Sequence, residues 1–136
     1  MDIKLMVMAS LMAGLLSTMN VWVVNKNHVR LHLNDIYMVF LMTGWMIFFD
    51  TINHYEYKKL LTALVIIVVS LILIRGQFFI NDDQFINGMI PHHSMAILMS
   101  EKIKDKTTNK KIRDLANSII INQQKEIDLM NNIIKN

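Results

Sequence analysis

Asn87-Gly-Met-Ile-Pro-His-His-Ser-Met-Ala-Ile-Leu-Met99 sets two adjacent histidines among three methionines, just beyond a long hydrophobic half of the chain. Imidazole nitrogen and thioether sulfur are both metal donors, and thioether favours soft ions such as Cu(I) over Mg2+ or Ca2+. The apolar residues recur at helical spacing, so several donors project from one side of a single rod. The combination points to membrane-anchored metal handling rather than ordinary enzyme chemistry.

At about 100° per residue and with Met89 at zero, Ala96 falls near −20°, His93 near +40°, His92 near −60° and Met99 near −80°. Phe85 and Ile103 fall inside that arc, and Met95 falls at its edge. The arc is therefore the expected packed face. Asn81, Asp82 and Asp83 supply an N-cap and first-turn acids, so the helix is expected from Gln84 to about Lys104. Pro91 lies inside it and predicts a kink near Asn87-Gly88, because its ring meets the carbonyl four residues back.

Asp105 to Asn109 reads as a turn, and a second helix is expected from Lys110 to about Ile134. Its apolar stripe comprises Ile112, Leu115, Ala116, Ile119, Ile120, Gln123, Ile127, Met130 and Ile134, with Lys111, Asn117, Lys125, Asp128 and Lys135 opposite. The two helices form a hairpin. Folded antiparallel, it brings Gln123 and Ile127 across from His92 and Met89, and Met130 near Phe85. His92 and His93 would then supply nitrogen to a soft ion, and Met89 and Met99 sulfur. Met95 or Met130 could add a further sulfur, and Gln123 could hydrogen-bond a ring. The structural alternative is that the histidines simply pack and the methionines fill a core.

Upstream, Leu5 to Val24 is free of charge and long enough to cross a bilayer, and no small-residue cleavage site closes it. It reads as an uncleaved anchor. Ile36 to Phe49 is a shorter uncharged run that must borrow flanking residues to span. Leu60 to Ile74 is the third, with Arg75 snorkelling at its edge and the helix continuing through Phe78, Phe79 and Ile80. Its β-branched residues do not argue for a strand, since an open strand in lipid leaves backbone groups unpaired. Met38, Met42 and Met46 on the second run, and Met8, Met12 and Met19 on the first, form stripes that could pass a soft ion along. His28 and His32 could receive it. Lipid-facing methionine is the ordinary alternative.

Composition agrees with an anchored protein. Of the 136 residues, 53% are hydrophobic and 18% charged, too apolar for a soluble chain of this size. The net charge of +3 forms no basic stripe with aromatics, so nucleic acid is not an expected partner. The absence of cysteine excludes disulfides, iron–sulfur clusters and thiolate sites. No nucleophile, base and orienting group form a legible set, so an enzyme is not expected. Glu126 with the histidines could suggest a carboxylate-bridged metal oxidase, but the Glu-x-x-His spacing is absent.

The segment Asp83 to Met99, with its Met-Ile-Pro-His-His block, resembles the signature of the domain-of-unknown-function 305 family. Leu115-Ala116, Ile119-Ile120, Gln123-Gln124, Glu126-Ile127 and Met130 are similar to its second helix. Some members carry Met-rich membrane helices ahead of it. The resemblance implies a ferritin-like helical fold outside the cytoplasm and, in some members, copper or silver binding. Its ligand positions fall on Met89, His92, His93, Met99 and Met130. Met95 departs from the small residue many relatives have there.

The expectation is an all-α protein in two parts. Residues 1–80 form about three transmembrane helices. Residues 81–136 form an extramembrane His/Met hairpin, half of a ferritin-like four-helix bundle. The expected location is the plasma (inner) membrane, multi-pass. Lys4, Lys58 and Lys59 nearly balance Lys26, Arg30 and Arg75 across it, and the free amino terminus tips the hairpin to the extracytoplasmic side. The expected function is binding of Cu(I) or Ag(I) for tolerance or delivery, with no organic cofactor. A hairpin buries little alone, so a homodimer through it is expected. The alternative function is a non-metal structural or interaction protein whose hairpin dimerises or docks a partner.

Overall fold

The uncharged runs and the amphipathic C-terminal segment all become helices in a computed structural model, which describes residues 3–54 and 56–135. Among the described residues there are five α-helices and no strand. They are α1 (Ile3–Leu16), α2 (Leu33–His54), α3 (Tyr57–Gly76), α4 (Asp82–Lys106) and α5 (Lys110–Lys135). Two short 3-10 turns, Met19–Trp22 and Lys26–His28, lie between α1 and α2. The amino-terminal residue counted in the charge balance and the Lys135 side chain lie outside the described residues.

The chain divides into two units. One comprises residues up to Thr18 with His32–Ile80; the other comprises Met19–Leu31 with Asn81–Asn136. The units change over after Ile80, and the polar connection groups with the hairpin rather than with the apolar helices.

Three segments are long and apolar enough to cross a membrane: Lys4–Trp22, whose last four residues belong to the second unit, and Leu33–Ile52 and Tyr57–Gly76 in the first. The second run does extend over its flanks, to 22 residues, or roughly 33 Å. The first differs from expectation. α1 stops at Leu16, and the uncharged run continues as a 3-10 turn, so the first segment reaches its length only by counting that turn. α3 also ends earlier than expected, at Gly76. Gln77 adopts a left-handed conformation (φ 48°), with its N–H on the Ile74 carbonyl and the Phe78 N–H on the Leu73 carbonyl. This cap satisfies the last carbonyls and stops the helix before Phe78.

Met6, Ile47 and Ala63 form the buried centre of this unit, with Val7, Phe48 and Ile66 around it. Glycine permits the close approaches. A Cβ on Gly14 would lie 2.7 Å from a Val39 methyl, and one on Gly44 would lie 2.8 Å from Ile67. Helix hydroxyls find partners locally, as where Thr43 donates to the Val39 carbonyl.

The second unit is built on the α4–α5 hairpin. The Asn81 side chain accepts from the Gln84 N–H, Asp82 and Asp83 occupy the first turn of α4, and Lys104 and Lys106 its last. All of these suit the helix dipole. α4 runs without interruption through Pro91, which is buried. The turn is tighter than expected, Thr107–Asn109 rather than Asp105–Asn109. Thr107 Oγ1 accepts from the Asn109 N–H, and Asn109 Oδ1 accepts from the Lys111 N–H to start α5.

Between the helices lie Ile86, Ile90, Ile97, Ile127 and Met130, with Met89 and Ile120 at the margin. Ile90 and Ile127 are fully buried, each contributing about 1.5–3 kcal/mol. This corrects the expected packed face of α4. The arc of Phe85, His92, Met99 and Ile103 is exposed, and the face in use is rotated from it by roughly 100°, onto Ile86, Ile90 and Ile97. β-Branched isoleucine fills most of the seam with Met130, while His92 and Met99 stay outside. On α5, Ala116, Ile127 and Met130 are buried as expected, but Ile112, Leu115 and Ile134 are exposed.

Candidate metal centre

His93 is the expected donor that the fold places most definitely. It is buried on α4, and its Nδ1 lies 2.8 Å from the Met89 carbonyl oxygen. A carbonyl only accepts, so Nδ1 carries the proton and donates. The ring is thereby fixed with Nε2 pointing away from its own helix. Nε2 meets Oε2 of Glu126 on α5 at 2.7 Å. A bare ring nitrogen and a carboxylate oxygen cannot bond to one another, so one proton lies between them.

Glu126 was not among the expected donors, and the side chain facing the ring was expected to be Gln123. Gln123, half-buried, lies one turn earlier on α5. The signal that could have identified Glu126 is its acidity beside an apolar stripe, opposite a histidine in an antiparallel pair.

The remaining expected donors separate. Met89 and Met130 belong to the apolar core or its margin. Met95 is half-buried, while His92 and Met99 are exposed. The convergence of both histidines with sulfur on one packed face is therefore not what a single hairpin forms. Among the described residues, no three His, Asp or Glu side chains group closely enough to hold a metal ion.

The connection Met19–Leu31 makes a second polar cluster against α4. Ser94 is fully buried, and its Oγ accepts from the Val24 N–H and shares a hydrogen bond with His28 Nδ1, each at 2.9 Å. Burial, aided by Arg30, holds the His28 imidazole below its ordinary pKa, with Asp128 opposing weakly. Asn20 and Arg30 exchange hydrogen bonds, and the Arg30 guanidinium reaches Asn131 Oδ1 on α5. His28 and His32 do not form a helical pair. His28 belongs to this unit; His32 belongs to the other and lies 3.3 Å from Asp35. Of the methionine stripes, Met8, Met12, Met38 and Met46 are exposed and Met42 half-buried, while Met46 Sδ lies 2.9 Å from the Ser10 hydroxyl.

A helical hairpin with Met-Ile-Pro-His-His on its first helix and an acidic partner on its second is the part of the chain that carries family information. The family model described as Domain of unknown function (DUF305) matches residues 74–134. Residues 74–134 of this chain are a DUF305 domain. The match covers the end of α3, all of α4 and nearly all of α5. Similarity to a relative extends over the apolar helices as well. The uncharacterized protein L153 of Acanthamoeba polyphaga mimivirus is 51% identical over 137 residues, covering 97% of this chain and 90% of its own length. No solved structure matches the chain.

Proposed function

We propose that this chain is a membrane-anchored binder of a soft metal ion, Cu(I) or Ag(I), acting in metal tolerance or delivery. The observation that carries the reading is the His93 ring. Its Nδ1–H is tied to a backbone carbonyl and its Nε2 is directed across the hairpin at Glu126, the arrangement that fixes the tautomer and direction of a ligating imidazole. Glu126 holds Nε2 when no ion does. His92, Met89 and Met99 lie within two turns of His93 on the same helix, with Met95 beside it and Met130 on α5. Thioether and imidazole together favour Cu(I) or Ag(I) over harder ions. The three apolar segments would anchor the hairpin in the plasma (inner) membrane on the extracytoplasmic side, with Arg75 near the bilayer edge.

The test is a titration of the full chain in detergent with Cu(I), Ag(I) and Zn(II) against a competing chelator. Tight, reversible uptake of the two soft ions is expected. Replacing both His92 and His93 with Ala should weaken it by at least about 10–100-fold. Uptake unchanged in that variant, or a preference for Zn(II), would refute the reading.

A further inference from the structure

Each helix of the hairpin carries a second apolar seam beside the one it uses on its neighbour. On α4, Phe85, Met89, His92, Ala96, Met99 and Ile103 alternate steps of four and three. On α5, Ile112, Leu115, Ile119, Asn122, Glu126, Leu129 and Ile133 alternate steps of three and four. This is the a/d spacing of helices wound around one another, held for about three heptads on both helices. The inner seam is offset from it by one residue on each helix, Ile86 beside Phe85 and Ala116 beside Leu115. A helix apolar toward two neighbours has the pattern of a four-helix bundle, whereas a hairpin gives it one long neighbour. The outer seam is left open: Phe85 and Met99 are each 56% exposed, and Leu115 and Leu129 each 60%.

The polar members of the outer seam fall at one level. Glu126 touches His93, so it stands beside His92, and Asn122 lies one turn away on the same helix. Apolar positions flank that level evenly. Phe85 and Met99 lie seven residues on either side of His92, and Leu115 and Leu129 seven on either side of Asn122. A pattern that reads alike from its centre in both directions is self-complementary about a twofold axis. A slip of one heptad would set His92 against Phe85 or Met99, so the polar level fixes the register.

We infer that a second copy of this chain packs its outer seam here, completing a four-helix bundle, and that the metal site lies between the copies. His92, Met89 and Glu126 of each would face the same layer, doubling the donors one hairpin brings together. The seam continues the hairpin interface through Met89 and Ala96, half-buried at its edge, which favours another helical pair over an unrelated surface. The shared site rests on the metal reading above; the dimer does not.

The experiment compares the full chain with two variants in detergent, with and without Ag(I). Leu115→Asp combined with Leu129→Asp charges the seam and leaves every proposed donor in place. Lys125→Asp alters the exposed back of α5. Wild type and Lys125→Asp should be dimers without metal. The seam variant should be a helical monomer that binds Ag(I) about 100-fold more weakly, having lost the second copy's donors. If the seam variant loses its helical circular dichroism, pairwise cysteine linking decides instead. The chain has no cysteine, so mixed Phe85→Cys and Met99→Cys chains should form disulfide-linked dimers, like with like or one with the other according to the axis direction. A wild-type monomer, absence of any linked dimer, or a seam that is shielded only by a bilayer or by another protein would overturn the inference. A monomeric variant that binds Ag(I) as wild type does would place the site within one chain and leave the metal reading intact. A dimer that takes up no ion would refute the metal reading and the shared site together.

Discussion

His93 Nε2 lies 2.7 Å from Glu126 Oε2, while Nδ1 of the same ring is bound to the Met89 carbonyl. One imidazole thus joins α4 to α5 and anchors itself to its own helix. His93→Ala removes both interactions and should destabilise the hairpin by about 1–2 kcal/mol. Glu126→Gln keeps a donor facing Nε2, and the carboxylate is half exposed, so its cost should stay below about 1 kcal/mol. Denaturant unfolding followed by circular dichroism compares them. Equal losses would mean that the hydrogen bond is not what holds the ring.

Ile90 and Ile127 fill the inner seam completely. Either one replaced with Ala should cost about 2–4 kcal/mol, since the cavity adds to the lost burial. Ile121 lies on α5 outside both seams and is exposed, so Ile121→Ala should stay within about 0.5 kcal/mol. The same unfolding measurement separates them, and a large loss at Ile121 would contradict the assigned face.

His28 is held neutral by burial and by Arg30, with the nearby Asp128 opposing. A histidine whose pKa is lowered on folding contributes stability that is full above its unfolded value, about 6.5, and lost as pH falls through the folded value. Acidification should therefore release the Met19–Leu31 connection from Ser94. Hydrogen exchange at the Val24 amide, which donates to Ser94, should accelerate beyond the intrinsic trend as pH falls below the ordinary histidine range. His28→Gln should remove that dependence. An amide protected equally at pH 5 and 7.5 would contradict it.

Gly44 sits where α2 meets α3, and an added Cβ would come within 2.8 Å of Ile67 Cγ1 and 3.3 Å of its backbone nitrogen. Gly44→Leu should force the helices apart, at a cost of about 1–3 kcal/mol or more. Proteolysis of the full chain in detergent reads this out as faster cleavage between α2 and α3. Unchanged resistance would mean that these helices do not pack as described.

The helices were legible because each level of the sequence agreed. Uncharged runs, the Asn81 cap and the 3.6-residue period on α5 all pointed to the same elements. Helix ends were less legible, since the left-handed cap at Gln77 and the change to a 3-10 turn after α1 have no hydropathy signature. The packed face of α4 was misread for a physical reason. The helix has two adjacent heptad seams, and the one richer in Phe, Met and His is not the one its hairpin partner covers. The burial of His93 agrees with its expected place on the packed arc. Glu126 was weighed with the histidines and set aside because the Glu-x-x-His spacing is absent; its contact with His93 depends on interhelix rotation and register, which one chain's periodicity leaves open.

X-ray absorption at the copper edge of the Cu(I)-loaded full chain, in wild type and in His92→Ala/His93→Ala, examines the proposed chemistry most directly. Mixed nitrogen and sulfur scatterers are expected around the ion, with the imidazole signature lost in the variant. A shell of oxygen alone, or a spectrum that the substitutions do not change, would contradict binding through the His/Met hairpin.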